Sequence, residues 1–181
     1  RVGPGRNSPF EGLEHIRVIT TVHPAACLRV SDHFPSLVTD VGKVVTQNEP
    51  WSEPDITVID DPDEAIAYLR GVEKRAGDLV VDIEVDIEKD TSFDHPDRYG
   101  LLCVGFAYEA GRATVIGENA CADDRVLDAM ADALNASRLV CQNGKFDLAG
   151  LFPKLGPLSL YFDTMLASYC CDERPGIHSL D

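Results

Sequence analysis

The sequence lacks a long apolar run, and it is poor in basic residues for its acidic content. Among its 181 residues, no apolar stretch approaches the roughly 20 residues that a membrane-spanning helix needs. Only 16 Lys and Arg stand against 31 Asp and Glu, which gives a formal net charge of −15. Because nucleic acid is held largely by Lys and Arg contacts to phosphate, this balance excludes a domain that binds nucleic acid through a basic surface alone. It is compatible with carboxylates that hold metal ions.

The six cysteines form no Cys-x-x-Cys pair and no Cys/His zinc spacing, and no signal peptide precedes them. We therefore expect reduced thiols in a cytosolic protein. The sequence contains neither an internal repeat nor a low-complexity tract. Its hydrophobic content of 44% is ordinary for a globular protein, and its length suits one domain and a smaller piece.

Charge is distributed unevenly along the chain. Residues 1–47 carry five Lys/Arg and four Asp/Glu, whereas residues 48–181 carry 11 and 27. The intervening stretch contains Pro50 and Pro54 among polar residues, which suits an extended connector. We predict an N-terminal piece over 1–47, a linker over 48–55 and a second domain over 56–181. Because the chain starts without an initiator Met and stops in what reads as the middle of an element, we expect a fragment of a longer protein.

The N-terminal piece shows few secondary-structure signals. A β-branched run over 16–22 predicts a buried strand that ends at His23 and Pro24, and residues 25–29 can start a short helix. So few apolar side chains do not easily build an independent core. We expect a small α/β remnant of a domain whose front is missing.

The second domain has the pattern of a mixed-sheet α/β fold with flanking helices. Strands are predicted at 56–59, 79–85, 101–108, 112–116 and 138–141. Helices are predicted over 63–72, from Asp123 or Asp124 through Leu134, from the Phe146 region to Pro153, and over 165–171. The short connection after residue 108 favours an antiparallel hairpin. Three antiparallel strands followed by alternating helices and strands indicate a mixed sheet.

Two acidic residues alternate with apolar residues on one predicted strand. Side chains of a strand point to opposite faces in turn, so Asp82 and Glu84 share one face while Val81, Ile83 and Val85 point into a core. Unpaired charge at a buried strand is costly, and a divalent metal is a natural compensator. The alternative is a solvated acidic face, since further acids follow.

A second group lies between a strand and a helix, over residues 142–147 (Gln-Asn-Gly-Lys-Phe-Asp). Asn143 can cap the helix, Gly144 lets other backbone come close, and Asp147 points from the first turn toward the end of the strand. A cap with an acid matched to the helix dipole would explain much of this without any catalytic role.

Together, these motifs carry a resemblance. Residues 80–84 (Val-Val-Asp-Ile-Glu), 142–147 and 162–169 (Phe-Asp-Thr-Met-Leu-Ala-Ser-Tyr) resemble, in order and context, the motifs of the 3'-5' exonuclease domain of family A DNA polymerases. That domain belongs to the DEDD exonuclease superfamily and has an RNase H-like fold. The resemblance covers residues 56–181.

The resemblance implies roles for individual residues. Asp82, Glu84 and Asp147 would be catalytic carboxylates that bind two Mg²⁺ or Mn²⁺ ions, and Asn143 and Phe146 would contact the substrate strand. The fourth acid of the family is expected beyond Asp181, so the fragment itself is expected to be weak or inactive. For Asp163 we prefer the role of a helix cap to that of a metal ligand.

The N-terminal piece has a resemblance of its own. Residues 19–29 (Ile-Thr-Thr-Val-His-Pro-Ala-Ala-Cys-Leu-Arg) are similar to the C-terminal His-Pro segment of family 4-like uracil-DNA glycosylases. There the His stabilises negative charge on the flipped uracil, which would make His23 a substrate-binding residue. A lone surface His before a Pro turn is the alternative. Such a tail before an exonuclease domain resembles an arrangement of some phage polymerases.

These resemblances imply a metal-dependent 3'-5' exonuclease that proofreads DNA synthesis. The expected partners are a single-stranded DNA 3' end and a polymerase domain in the same parent chain, without a membrane. The expected location is the cytoplasm, or the host cytoplasm if a phage encodes the protein. Three alternatives stay open: an RNase D-like exoribonuclease, a non-catalytic exonuclease-like binding module, and a uracil-DNA glycosylase.

Overall fold

The computed structural model describes residues 6–7, 17–46, 53–86, 96 and 99–171. The chain divides into two units, one of residues 1–53 with 180–181 and one of residues 54–179. The predicted domain limits stay predictions, because most of the linker over 48–55 lies outside the described residues. Most of the acidic stretch that follows residue 86 also lies outside the described residues, and so do residues 172–181.

In its described residues, the first unit has two very short strands and two helices. Its elements are β1 (Arg6–Asn7), β2 (Arg17–Val18), α1 (Pro24–Cys27), a 3₁₀ turn (Ser31–His33) and α2 (Phe34–Thr46). The predicted strand over 16–22 is wrong beyond Val18, where β2 ends after pairing with the two residues of β1. Ile16 lies outside the described residues. The short helix begins at Pro24 and ends at Cys27, slightly earlier than predicted. The longer helix α2 was not predicted.

The second unit is built on a six-stranded mixed sheet. Its strands are β3 (Asp55–Ile59), β4 (Gly77–Asp86), β5 (Gly100–Glu109), β6 (Arg112–Ile116), β7 (Ser137–Cys141) and β8 (Leu160–Asp163), in the order β3-β6-β5-β4-β7-β8. Strand β5 runs antiparallel to β4 and β6, and the pairs β3/β6, β4/β7 and β7/β8 are parallel. The predicted mixed sheet and the predicted hairpin of β5 and β6 are confirmed.

The helices of this unit are α3 (Pro62–Arg75), α4 (Glu118–Cys121), α5 (Asp124–Asn135), α6 (Gly144–Leu155) and α7 (Thr164–Cys171). Asp123 caps α5 by accepting from the backbone N–H of Arg125 at 2.8 Å, so the first of the two predicted caps is the one used. The prediction that α6 ends at Pro153 is wrong. Pro153 lies in the last turn, and the helix continues to Leu155, where the N–H of Gly156 reaches the Phe152 carbonyl at 2.9 Å.

The core of the second unit lies on one face of the sheet. On β4, Leu79, Val81 and Ile83 are buried while the residues between them are exposed, as the period of a strand requires. They face buried side chains of β5, α3 and α5, among which Phe106, Leu69 and Met130 are almost fully buried. Each such side chain stabilises the fold by roughly 1.5–3 kcal/mol relative to exposure.

Two further predictions from the sequence concern the cysteines and membrane-spanning segments. All six cysteines lie in the described part of the chain and are free. Their reduced state in the cytosol stays a prediction. Within the described residues, no helix has both the length and the apolar character needed to cross a membrane.

Candidate functional site

The two acids of β4 lie on the exposed side of the sheet. Asp82 and Glu84 are exposed, whereas Ile83 between them is buried, which confirms the predicted alternation. Opposite Asp82 on β5 stands Gly105, so no side chain from that position covers the carboxylate. Although the Asp82 side chain reaches solvent, the protein covers part of it, and this partial desolvation, followed by the charge of Glu84, raises the pKa of Asp82. The like charges of Asp82 and Glu84 therefore lack full compensation on this face of the sheet.

Asp147 reaches the same strand from the first turn of α6. Its side chain is only 2% exposed, and its Oδ1 accepts a hydrogen bond from the backbone N–H of Ile83 at 3.3 Å. Its Oδ2 is buried and has no hydrogen-bond partner among the described residues. Burial, and then the charge of Asp82, raise the pKa of Asp147 to about 6. A buried carboxylate with one unsatisfied oxygen beside a second carboxylate calls for a proton or a cation.

A glycine allows α6 to approach β4 this closely. A Cβ atom at Gly150 would lie 2.6 Å from Cδ1 of Ile83, which is closer than side-chain atoms pack. Gly150 stands one helical turn after Asp147, so both lie on the face of α6 that meets the strand. The Gly150 contact therefore sets the depth at which the Asp147 carboxyl meets the backbone of Ile83.

Asp163, at the end of β8, holds the starts of two helices. Its Oδ1 accepts from the N–H groups of Met165 at 2.8 Å and Leu166 at 3.2 Å, in the first turn of α7. The same carboxylate accepts from Asn143 at 3.2 Å and Gly144 at 2.8 Å, at the start of α6. The preferred role of Asp163 as a helix cap is confirmed, and it extends to a second helix that the sequence does not indicate.

The expectation that the Asn143 side chain caps α6 is wrong. Asn143 occupies the cap position in a left-handed conformation, with φ of 61°, but its side chain makes no cap hydrogen bond. The carboxylate of Asp163 takes that role from another strand. Gly144 does allow a close approach, although the neighbours are side chains: a Cβ atom there would lie 2.9 Å from Cδ2 of Leu160 and 3.0 Å from Cβ of Cys141.

Phe146 is half-buried beside a residue that the sequence did not single out. Its ring centroid lies 6.0 Å from that of Tyr99, with the planes inclined by 33°. Tyr99 is buried, and Nζ of Lys154 in α6 donates to its carbonyl at 3.0 Å. No pattern in the sequence marks Tyr99, because it follows a long polar stretch and its partners come from a distant helix.

His23, the remaining predicted site residue, belongs to the first unit. It is exposed and caps α1, since its Nδ1 accepts from the N–H of Ala25 at 3.1 Å. Because Nδ1 accepts this hydrogen bond, it carries no proton, and in the neutral ring the proton is on Nε2. The substrate-binding role of His23 stays a prediction.

The structure brings Asp82 and Asp147 together at β4, with Glu84 on the same strand. The unsatisfied oxygen of Asp147 beside the Asp82 charge fits a divalent cation. In the described ranges, however, no three His, Cys, Asp or Glu side chains are arranged to hold a metal ion. The arrangement is therefore a pair of acids, and the assignment of all three acids as ligands stays a prediction.

Comparisons with known proteins bear on the fold. No protein-family model and no curated protein matches the chain. Among solved structures, the chain is similar to Escherichia coli RNase D, an exoribonuclease involved in structured RNA processing, at 18% sequence identity and a TM-score of 0.50, over 67% of this chain and 30% of that one. It is also similar to the Aedes aegypti Nibbler EXO domain, at 13% identity and a TM-score of 0.50, over 67% of this chain and 58% of that one.

The chain thus spans less than two thirds of the length of either structure. At this level of identity, the likeness concerns the fold. The second unit has the mixed six-stranded sheet with flanking helices of the RNase H-like fold, as expected from the sequence.

Proposed function

We propose that the second unit is a divalent-metal-dependent 3'-5' exonuclease domain that hydrolyses phosphodiester bonds at nucleic-acid 3' ends. The observation that carries the proposal is the buried carboxyl of Asp147, with one oxygen on the Ile83 N–H and the other without a partner. Nothing in a purely structural role requires that second oxygen to stay unsatisfied, since an unpaired buried acceptor costs about 1–3 kcal/mol. The fold shared with E. coli RNase D supports the same proposal.

Asp82 and Asp147 would hold Mg²⁺ or Mn²⁺, with Glu84 as the further predicted ligand. When bound, such ions activate a water molecule and stabilise the charge on the leaving 3' oxygen. Oxygen ligands alone suit these hard cations. Burial and the charge of Asp82 raise the pKa of Asp147 to about 6. A bound cation would lower this pKa again, because it favours the ionised carboxylate.

The remaining residues of the site would position the chain and the substrate. Asp163 fixes the start of α6, and with it the carboxyl of Asp147 three residues further on. The half-buried ring of Phe146, supported by Tyr99, is suited to contact a terminal base, since stacking on an aromatic ring tolerates any base. Asn143, three residues before Phe146, is exposed, and we propose that it contacts the nucleic-acid strand.

For the substrate, we propose single-stranded DNA and a proofreading role next to a polymerase domain of the same parent chain. This rests on the sequence resemblance of the three motifs and on the glycosylase-like residues 19–29. An RNase D-like exoribonuclease is the second candidate, which the fold of E. coli RNase D favours. A non-catalytic binding module would keep the fold without needing the acids.

The test is the release of mononucleotides from 3'-labelled single strands of DNA and RNA of one sequence, with Mg²⁺ or Mn²⁺. We expect release by the domain within its parent chain, and loss of at least about a hundredfold in Asp82→Ala and in Asp147→Ala, the range that removal of one catalytic group typically costs. Asp128→Ala is the matched control, because Asp128 is an exposed acid of α5.

The outcomes separate the candidates. Faster release from DNA supports proofreading, and faster release from RNA supports the RNase D-like activity. Release that is unchanged in Asp82→Ala and Asp147→Ala would overturn the assignment of the site. Absence of release from both substrates would overturn the exonuclease and favour a binding module.

A further inference from the structure

A cavity of about 360 Å³ lies between α3 and the β5/β6 hairpin. Its volume is at the lower end of the range for small-molecule pockets. Three aromatic residues line it, Tyr68 from α3 and Phe106 and Tyr108 from β5. The rings of Tyr68 and Phe106 meet edge to face, with centroids 6.0 Å apart. None of the residues that line the cavity belongs to the candidate site, so this cavity is a separate feature of the unit.

Arg75, one of the residues that line this cavity, lacks the carboxylate partner that the other described arginines of the unit have. The guanidinium of Arg75 lies over the ring of Tyr108, with Cζ 4.0 Å from the ring centroid. Among the described residues, no carboxylate forms a salt bridge with it. The other described arginines of the unit each pair with at least one carboxylate; they are Arg70, Arg112, Arg125 and Arg138.

This contrast is informative because the unit is rich in acids. Residues 48–181 hold 27 Asp and Glu against 11 Lys and Arg, so an arginine without a carboxylate partner is the exception. Stacking on Tyr108 covers one face of the guanidinium and leaves its N–H edge to hydrogen-bond an anion through two of its oxygens, as arginine does with carboxylate and phosphate. The acid that also lines the cavity, Glu109, is paired with Arg112 at 3.3 Å.

We propose that this cavity binds a small planar aromatic molecule that carries one anionic group, a carboxylate or a phosphate. The ring lies against Tyr68 and Tyr108, and the anionic group meets Arg75. A nucleoside monophosphate and a free aromatic acid are the two sources of this chemistry. The proposal does not depend on the acids of β4 or on nuclease activity.

Two variants change the cavity without weakening the helix. Arg75→Gln removes the cation, and Lys74→Gln removes one from the neighbouring position of the same last turn, so it is the matched control. Gly71→Leu fills the cavity: a Cβ atom at Gly71, which lines it, would meet nothing within 4 Å. Leucine also favours a helix more than glycine does, so the fold should be kept.

The experiment follows backbone amide signals of the ¹⁵N-labelled chain in EDTA, which removes divalent cations. The probes are thymidine 5'-monophosphate and indole-3-acetate, with thymidine and indole as their uncharged counterparts. We expect one of the anions to shift the signals of Gly71, Ala107 and Thr114 and to bind at least about tenfold more tightly than its uncharged counterpart, as a hydrogen bond to a charged group provides. The anion that binds identifies the source.

Arg75→Gln should weaken the binding about tenfold or more, Gly71→Leu should abolish it, and Lys74→Gln should leave it within about twofold. The proposal is overturned if neither anion shifts these signals. It is also overturned if the uncharged counterparts bind equally well, or if Arg75→Gln and Lys74→Gln have the same effect.

Discussion

The Oδ1 atom of Asp147 in α6 accepts a hydrogen bond from the backbone N–H of Ile83 in β4, at 3.3 Å. This single contact joins the two sequence motifs that are 64 residues apart along the chain. It satisfies one carboxylate oxygen and leaves Oδ2 buried without a partner, beside the charge of Asp82. The carboxyl of Asp147, itself a candidate metal ligand, thus joins helix α6 to strand β4.

The Asp147 carboxyl should make stability depend on pH. Its pKa is raised to about 6, mainly by burial, so the folded chain favours the protonated form. The protonated Asp147 carboxyl therefore favours the folded state. This contribution to the free energy of unfolding is fully present below the pKa of Asp147 in the unfolded chain, and it is lost as the pH rises through about 6. We expect the free energy of unfolding of Asp147→Asn to rise relative to that of the wild type between pH values of about 4 and about 8. Urea denaturation in EDTA measures the difference.

Asp128→Asn is the control for this prediction, because Asp128 is an exposed acid in the same unit. It shows how much of the change in the free energy of unfolding comes from replacing an Asp by an Asn as such. Parallel curves for Asp147→Asn and the wild type would show that the Asp147 carboxyl is not held in an unfavourable charged state.

The contact between Gly150 and Ile83 predicts a strong coupling between the two positions. Gly150→Ala places a Cβ atom 2.6 Å from Cδ1 of Ile83, so the overpacked interface should lose about 1–3 kcal/mol. Ile83→Val removes that Cδ1 atom and by itself costs about 0.5–1.5 kcal/mol. In the Ile83→Val background, Gly150→Ala should be neutral or stabilising by up to about 1 kcal/mol, the helix preference of alanine over glycine.

A double-mutant cycle from denaturant unfolding gives this coupling. Additive effects of the two substitutions would contradict the tight approach of α6 to β4.

The capping by Asp163 predicts an unusually costly substitution. Asp163 accepts from the backbone at the starts of both α6 and α7, and its side chain is 8% exposed. Asp163→Ala should therefore cost about 1–4 kcal/mol, twice the usual effect of one cap. Asp61→Ala is the matched control, because Asp61 caps α3 alone, through the N–H groups of Asp63 and Glu64.

Thermal unfolding of both variants compares the two caps. Equal losses of stability in Asp163→Ala and Asp61→Ala would mean that Asp163 supports one helix only.

Local patterns in the sequence predict much of the second unit. The alternation of Val81, Asp82, Ile83 and Glu84 is a property of one strand, so it predicts both the buried side and the exposed acids. The cap at Asp123 is also local, since the residue and its N–H partner are two positions apart. The mixed sheet follows from the order of such elements.

Contacts between distant segments could not be predicted in this way. Asp163 takes the capping position that the sequence suggested for Asn143, because β8 brings its carboxylate to the start of α6. The position of Asp147 against Ile83 likewise depends on contacts between distant segments, among them the close approach of Gly150 to Ile83. In the first unit, α2 went unpredicted, and its apolar residues Val38 and Val41 are exposed.

The cation site of Asp82 and Asp147 is tested most directly by titrating the chain with Mn²⁺ and recording the electron paramagnetic resonance signal of the free ion. We predict saturable binding by the wild type and by Asp128→Ala, and at least about tenfold weaker binding by Asp82→Asn and by Asp147→Asn, as the loss of one charged ligand implies. Mn²⁺ binding of equal strength in all four proteins, or its absence from the wild type, would contradict the site.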